Sequence, residues 1–226
     1  MNKRAIISTA IALLLMLSAS CNAFPSSPAT ATFISPTVTP KTSINWWTAW
    51  LAQPVCKPPC WENITPGVTT IDEAKSILEK MPGVAIDYES PWGLSWDFGA
   101  KDQGGNIVGS DDRKVDCIWM GNSGDPAMHL EQIVAVYHFP EYVKPYDCDP
   151  AWMCSIALIY PDLGLLFSTY TEMKELDYSS PEFSILPEDE IYRVYFFEPG
   201  IEFLDGFYNQ GESELPIRWK GYGDYP

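Results

Sequence analysis

Apolar side chains recur every three or four residues in some stretches of the chain and alternate or run together in others. Between residues 70 and 81, Ile71, Ala74, Ile77, Leu78 and Met81 fall on one helical face. Thr70 and Glu73 stand at capping-box spacing, where hydroxyl and carboxylate can each satisfy an orphan backbone donor. Pro82 and Gly83 end this predicted helix. Leu130, Ile133, Val134 and Tyr137 repeat the spacing, with Asp125 as the predicted cap, Pro126 in the first turn and Pro140 as the stop. A third, short helix is predicted after Ser43, with Trp46, Trp47, Trp50 and Leu51 on about one face. Core packing is the favoured reading of that aromatic stripe; a patch facing a membrane or a sugar is the sharper one.

The remaining patterned segments read as short strands rich in aromatic and β-branched residues. They cover residues 92–98, 115–120, 155–160, 165–170 and 191–197, with weaker candidates at 106–108 and 215–219. Residues 100–105 and 161–164 read as turns. Both halves share an order: helix, Pro stop, strands opening on Gly-Leu, then a β-branched and aromatic strand. Gly93-Leu94 answers to Gly164-Leu165, and residues 115–119 answer to 191–195. The expectation is an α+β fold of two tandem helix-plus-antiparallel-sheet modules, residues 44–123 and 124–226, the second ending in an aromatic and Gly-rich tail. A single α+β domain is the alternative.

The first residues carry an address. Lys3 and Arg4 precede an apolar run over 5–17, and Ser18, Ala19 and Ser20 supply small side chains. The run falls short of the roughly 20 residues a transmembrane helix needs. Cys21 follows, so residues 1–20 resemble a bacterial lipoprotein signal, with Cys21 acylated as the mature N-terminus. Ordinary secretory cleavage near Ala19 or Ala23 is the rival reading. Residues 21–43 are dominated by Ser, Thr, Pro and Ala and read as an extended tether.

Composition limits the partners. The chain has 226 residues, 14 Lys plus Arg and 30 Asp plus Glu, a net charge of −16. Loss of the leader takes Lys3 and Arg4 with it and moves that charge to −18. Such a chain is a poor ligand for phosphate backbones, and no nucleic-acid partner is expected. Attachment to membrane is expected through the lipid on Cys21 rather than through a basic face.

Five further cysteines raise the question of disulfides, which persist outside the cytoplasm. Cys56 and Cys60 flank a loop with two prolines, and Cys148 and Cys154 flank a second local loop. These two pairs are the disulfide candidates, although spacing alone does not fix connectivity. They leave Cys117 in a strand-like segment, where a buried thiol behaves as a small hydrophobe. Neither pair has zinc-site spacing, and no metal or cofactor is expected.

No catalytic motif emerges. His129 and His138 lie nine residues apart and so face opposite sides of one helix. Gly-x-Ser-x-Gly, Gly-x-Gly-x-x-Gly and P-loop patterns are absent. Acid groups at Asp111-Asp112, Asp147 with Asp149 and Glu188-Asp189-Glu190 offer hydrolytic carboxylates, and the first two offer calcium ligands, but solvated acidic loops are the better default.

Residues 64–82, with Pro66-Gly67, Thr70 and Glu73, resemble a signature of small exported proteins. It is found in the outer-membrane assembly lipoprotein BamE/SmpA and in β-lactamase-inhibitor-like modules. Together with the Pro-Cys-Trp before it and Trp219-Lys-Gly-Tyr-Gly223 near the end, the pattern is similar to uncharacterised bacterial surface lipoproteins. The resemblance implies helices packed on antiparallel sheet and carries over no catalytic residue. The expectation is a lipid-anchored protein on the extracytoplasmic face of the cell membrane. Its work is expected to be non-enzymatic binding of a protein or cell-wall partner. A carboxylate-based glycan hydrolase and a carbohydrate-binding module are the alternatives.

Overall fold

Successive strands pair edge to edge until they form one large antiparallel sheet. The computed structural model describes residues 46–99, 103–122, 127–148, 153–172, 182–200 and 216–226, all within one unit, Thr42–Pro226. The helices are α1 (Trp46–Ala52), α2 (Ile71–Leu78) and α3 (Leu130–Tyr137). The strands before α3 are β1 (Ala85–Ser90), β2 (Gly93–Asp97), β3 (Gln103–Gly109), β4 (Val115–Asn122) and β5 (Met128–His129). Those after it are β6 (Tyr142–Cys148), β7 (Met153–Tyr160), β8 (Leu165–Glu172), β9 (Phe183–Ile185), β10 (Glu190–Phe197), β11 (Ile217–Arg218) and β12 (Gly223–Tyr225).

The sheet order is β1-β2-β3-β4-β10-β8-β7-β6-β11, with β5 also pairing β10; β9 and β12 pair separately. A meander of β1 to β4 therefore meets a second one of β6, β7, β8 and β10. The seam is antiparallel, with Trp119 opposite Tyr195 and Gly121 opposite Arg193.

This corrects the expected fold class. Strand takes 49% of the described residues and helix 16%, in three short pieces. The fold is β-rich, not α+β with helix-plus-sheet modules. The strands assigned to 44–123 and 124–226 share one sheet through the seam, and the helices are too short to form a layer of their own. The segments 115–119 and 191–195, set in correspondence by the repeat, lie side by side at that seam.

Sequence explains the packing locally. The capping box at Thr70 is present: Glu73 N–H donates to Thr70 Oγ1 at 3.3 Å, and Thr70 N–H donates to Glu73 Oε2 at 2.9 Å. Ile71, Ala74 and Leu78 then face inward from α2. They join Leu94, Trp96, Ile107 and Ile118 from alternate positions of β2, β3 and β4. Trp61 stacks on Trp96 with ring centroids 5.4 Å apart. In the second meander Phe167 and Phe196 meet Trp50 of α1, and α3 contributes Leu130 and Ile133. The second helix starts later than predicted: His129 is its cap residue, and Asp125 and Pro126 lie outside the described residues. The predicted turn at 161–164 is a short 3-10 segment closed by Gly164 at φ 60°. A Cβ at Gly164 would run into the Phe197 carbonyl, so the position excludes any larger residue.

Candidate functional site

Because strand residues alternate between faces, the positions not used by the helix-side core line the other face of the sheet. There, around the seam, lies a cleft of about 830 Å³, within the range of ligand sites. In-register pairing sets its layout. Ser95 lies opposite Asn106, which lies opposite Trp119 on the next strand. One row along, Gly104 pairs with Gly121, Gly121 with Arg193, and Arg193 with Ser168. Two glycines beside Arg193 leave that part of the floor without side chains. Asp87, held by the Ser95 hydroxyl, lines the cleft, as do Glu190, Tyr170 and Tyr192.

Arg193 is the unusual member. Its guanidinium lies over Trp119, 4.7 Å from the ring centroid, and approaches Tyr192 at 5.5 Å and Tyr195 at 5.9 Å. Nη1 donates to Tyr195 Oη at 3.0 Å, while Nε is buried without a hydrogen-bond partner. The other two described arginines sit near carboxylates, Arg113 with Asp72 at 2.9 Å and Arg218 with Glu141 at 4.0 Å. Arg193 has no such ion pair among the described residues, in a chain with 30 acids. A guanidinium has five N–H donors, and leaving them unmet in a partly buried place is costly.

A hydroxyl network supports the floor. Tyr146 Oη lies 2.6 Å from Ser168 Oγ and 3.1 Å from Tyr192 Oη, and Tyr192 Oη donates to Ser155 Oγ at 2.9 Å. Tyr192 is thereby fixed, and Tyr170 stacks on it with centroids 3.9 Å apart and planes 8° from parallel. Burial pushes the Tyr146 phenol far above its ordinary range. Burial also raises Tyr195, against the opposing pull of its hydrogen bond from Arg193. These phenols stay neutral at physiological pH and do not cancel the guanidinium charge. Burial disfavours that charge, but the hydrogen bond to Tyr195 opposes it and the net shift is upward.

Of the residues singled out from sequence, Glu190 lines the cleft and the others lie elsewhere. Cys56 pairs with Cys60 and Cys148 with Cys154 as disulfides. Cys117 is buried and unpaired on β4, and desolvation pushes its thiol up to about 12. Cys21 lies outside the described residues. His129 and His138 sit at the two ends of α3; His129 Nδ1 is 2.7 Å from the Glu188 carbonyl. Among the described residues no group of three His, Cys, Asp or Glu side chains gathers as a metal would need. Asp112 is engaged by Ser110 and the Lys114 amide, and Asp189 accepts from the Leu186 amide. Asp149 is not described, so its pairing with Asp147 stays outside the structure. Of the tryptophan stripe read as a patch for a membrane or a sugar, Trp50 is buried, which removes it from that role. Trp46 and Trp47 have no described side chains.

The cleft residues Trp119, Tyr170, Tyr192 and Arg193 carried one weak signal in the sequence. Arg193 is the lone cation in a strand that after Glu190 is otherwise made of aromatic and aliphatic side chains. No helix among the described residues is long and apolar enough to cross a membrane. No family model matches the chain, and neither does any curated protein or solved structure.

Proposed function

We propose that this is a lipid-anchored binding protein of the extracytoplasmic face, tethered through Cys21 and binding its partner in the cleft at the sheet seam. The observation that carries the binding assignment is Arg193: a guanidinium with no carboxylate partner among the described residues, beside a glycine floor and framed by aromatic rings. The apolar leader, the Ser/Thr/Pro/Ala tether and the resemblance of the Pro-Cys-Trp segment to surface lipoproteins support the anchor. The two disulfides agree with an oxidising compartment.

Metabolic labelling with a fatty acid tests the anchor: the wild type incorporates label and Cys21→Ala does not. Label in both would exclude Cys21 as the acceptor. A photo-reactive residue at Asn106, used in intact cells, tests the cleft. Adducts that vanish when the cleft is filled support binding there, and adducts indifferent to filling count against it. A second reading, a carboxylate-based glycan hydrolase, rests on Asp87 and Glu190 lining the same cleft. It requires glycan cleavage that is lost in Asp87→Asn and Glu190→Gln.

A further inference from the structure

We infer that the seam cleft takes an acidic saccharide, a glycan segment carrying a ring carboxylate of the hexuronate kind. This inference rests on the binding role of the cleft proposed above and names its ligand class.

The charge pattern selects the class. Arg193 is the cleft's cation, and Nη1 to Tyr195 is the one hydrogen bond it makes among the described residues. A planar carboxylate matches the remaining fork of donors, as a point-charge partner would not. Asp87 and Glu190 line the same cleft, and the whole chain carries −16. A compact dianion such as phosphate meets repulsion from both acids. A uronate chain carries only one negative charge per ring, spaced along its length and flanked by hydroxyl donors, so hydroxyls can serve Asp87 and Glu190 while one carboxylate faces Arg193. Asn106 adds both a donor and an acceptor at the same wall.

The shape agrees. Tyr170 is half exposed and rests on Tyr192, whose hydroxyl is held at both Tyr146 and Ser155. A fixed aromatic ring offers a surface for the C–H face of a sugar at little cost in side-chain ordering. The volume of about 830 Å³ suits several linked rings rather than one small ion.

The test uses the mature exported chain in detergent and isothermal titration with trigalacturonate, maltotriose and inorganic phosphate. Trigalacturonate should bind, with maltotriose and phosphate weaker by about tenfold or more, the scale of one charged hydrogen bond. Arg193→Gln should weaken trigalacturonate by roughly tenfold to a hundredfold, and Arg193→Lys should restore only part of it. Gly121→Val is the variant that leaves every ligand-facing polar group in place. A Cβ there meets only the Tyr192 carbonyl, at 4.0 Å, so the fold should melt as the wild type does while the filled cleft loses binding.

Equal affinity for maltotriose or phosphate, or undiminished binding in Arg193→Gln and Gly121→Val, would overturn the inference. So would absence of trigalacturonate binding. In that last case the cross-linker at Asn106 separates the two claims. Adducts blocked by Gly121→Val leave the cleft a binding site with another ligand, and their absence removes the cleft as well.

Discussion

The two meanders of the sheet have the same strand count and opposite burial. In the second, β7 is buried at every position after Met153, and β8 over its first five residues. Both of its faces are covered: Leu158 and Phe167 belong to the helix-side core, and Ala157, Ile159, Leu166, Tyr195 and Phe197 form a cluster on the other face. In the first, β1 is largely exposed and β3 alternates between buried and partly exposed positions. Its packing is one-sided, through α2 and the stacked Trp61 and Trp96. The difference separates two tasks on one sheet. The second meander supplies stability, and the first lends an uncovered polar face to a site whose cation, Arg193, stands on the stable side of the seam.

The largest expected effect tests that division directly. Phe167→Ala removes a fully buried ring shared with Trp50, Tyr137 and Tyr160 and should cost about 3–5 kcal/mol in denaturant unfolding. A loss confined to the second meander, with the first still protected in hydrogen exchange, would show that the halves unfold separately. Gly105→Val comes next. A Cβ there lies 2.5 Å from the Trp96 ring and 2.7 Å from the Trp119 carbonyl, so overpacking of about 1–3 kcal/mol is expected. Faster exchange should appear in β1 to β4 and not in β7 or β8; the reverse would erase the contrast.

The tyrosines sharpen the comparison through pH. Burial raises Tyr146 and Tyr160 in the second meander above their unfolded values. The folded state then keeps protons that the unfolded chain loses, so stability holds below about pH 10 and falls above it. Each such phenol adds a slope of about 1.4 kcal/mol per pH unit in that window. Tyr146→Phe should make the decline of melting temperature above pH 10 shallower, and an unchanged slope would contradict the burial cause. The smallest effect belongs to the helix packed on the first meander: Thr70→Ala should cost about 1 kcal/mol by loss of the N-cap.

These elements also show what was legible in the sequence. The α2 helix was readable because cap, apolar spacing and stop agree within a dozen residues, and all are local. β4, β7, β8 and β10 were readable because their runs are long and apolar. β1 escaped because its residues, Ala-Ile-Asp-Tyr-Glu-Ser, lie mostly in water and carry little alternation. β6 escaped because Pro145 sits inside it, opposite Ile156, and proline argues against a paired strand. The start of β3 read as a turn because Gly104 and Gly105 suit one; here they serve close approach instead. The fold class failed for a different reason. Pairing of β4 with β10 joins residues far apart in the chain, and no local pattern records which strand edges will meet. The cleft was hidden by the same non-locality, since its residues come from β1, β2, β3, β4, β8 and β10 and share no motif. The disulfide pairs were accessible because each closes a loop of only a few residues.

The outer strand β1 has a consequence for behaviour in company. An open sheet ends in a strand whose outer amides and carbonyls can accept a strand from a neighbouring molecule. Here that strand is six residues long and interrupted by a bulge between Ile86 and Tyr88, with acids at Asp87 and Glu89. A second copy arriving edge-on would have to match a kinked register and bring its own negative charge against the first. The least buried strand of the sheet thus makes its own edge a poor template for the sheet of a second copy.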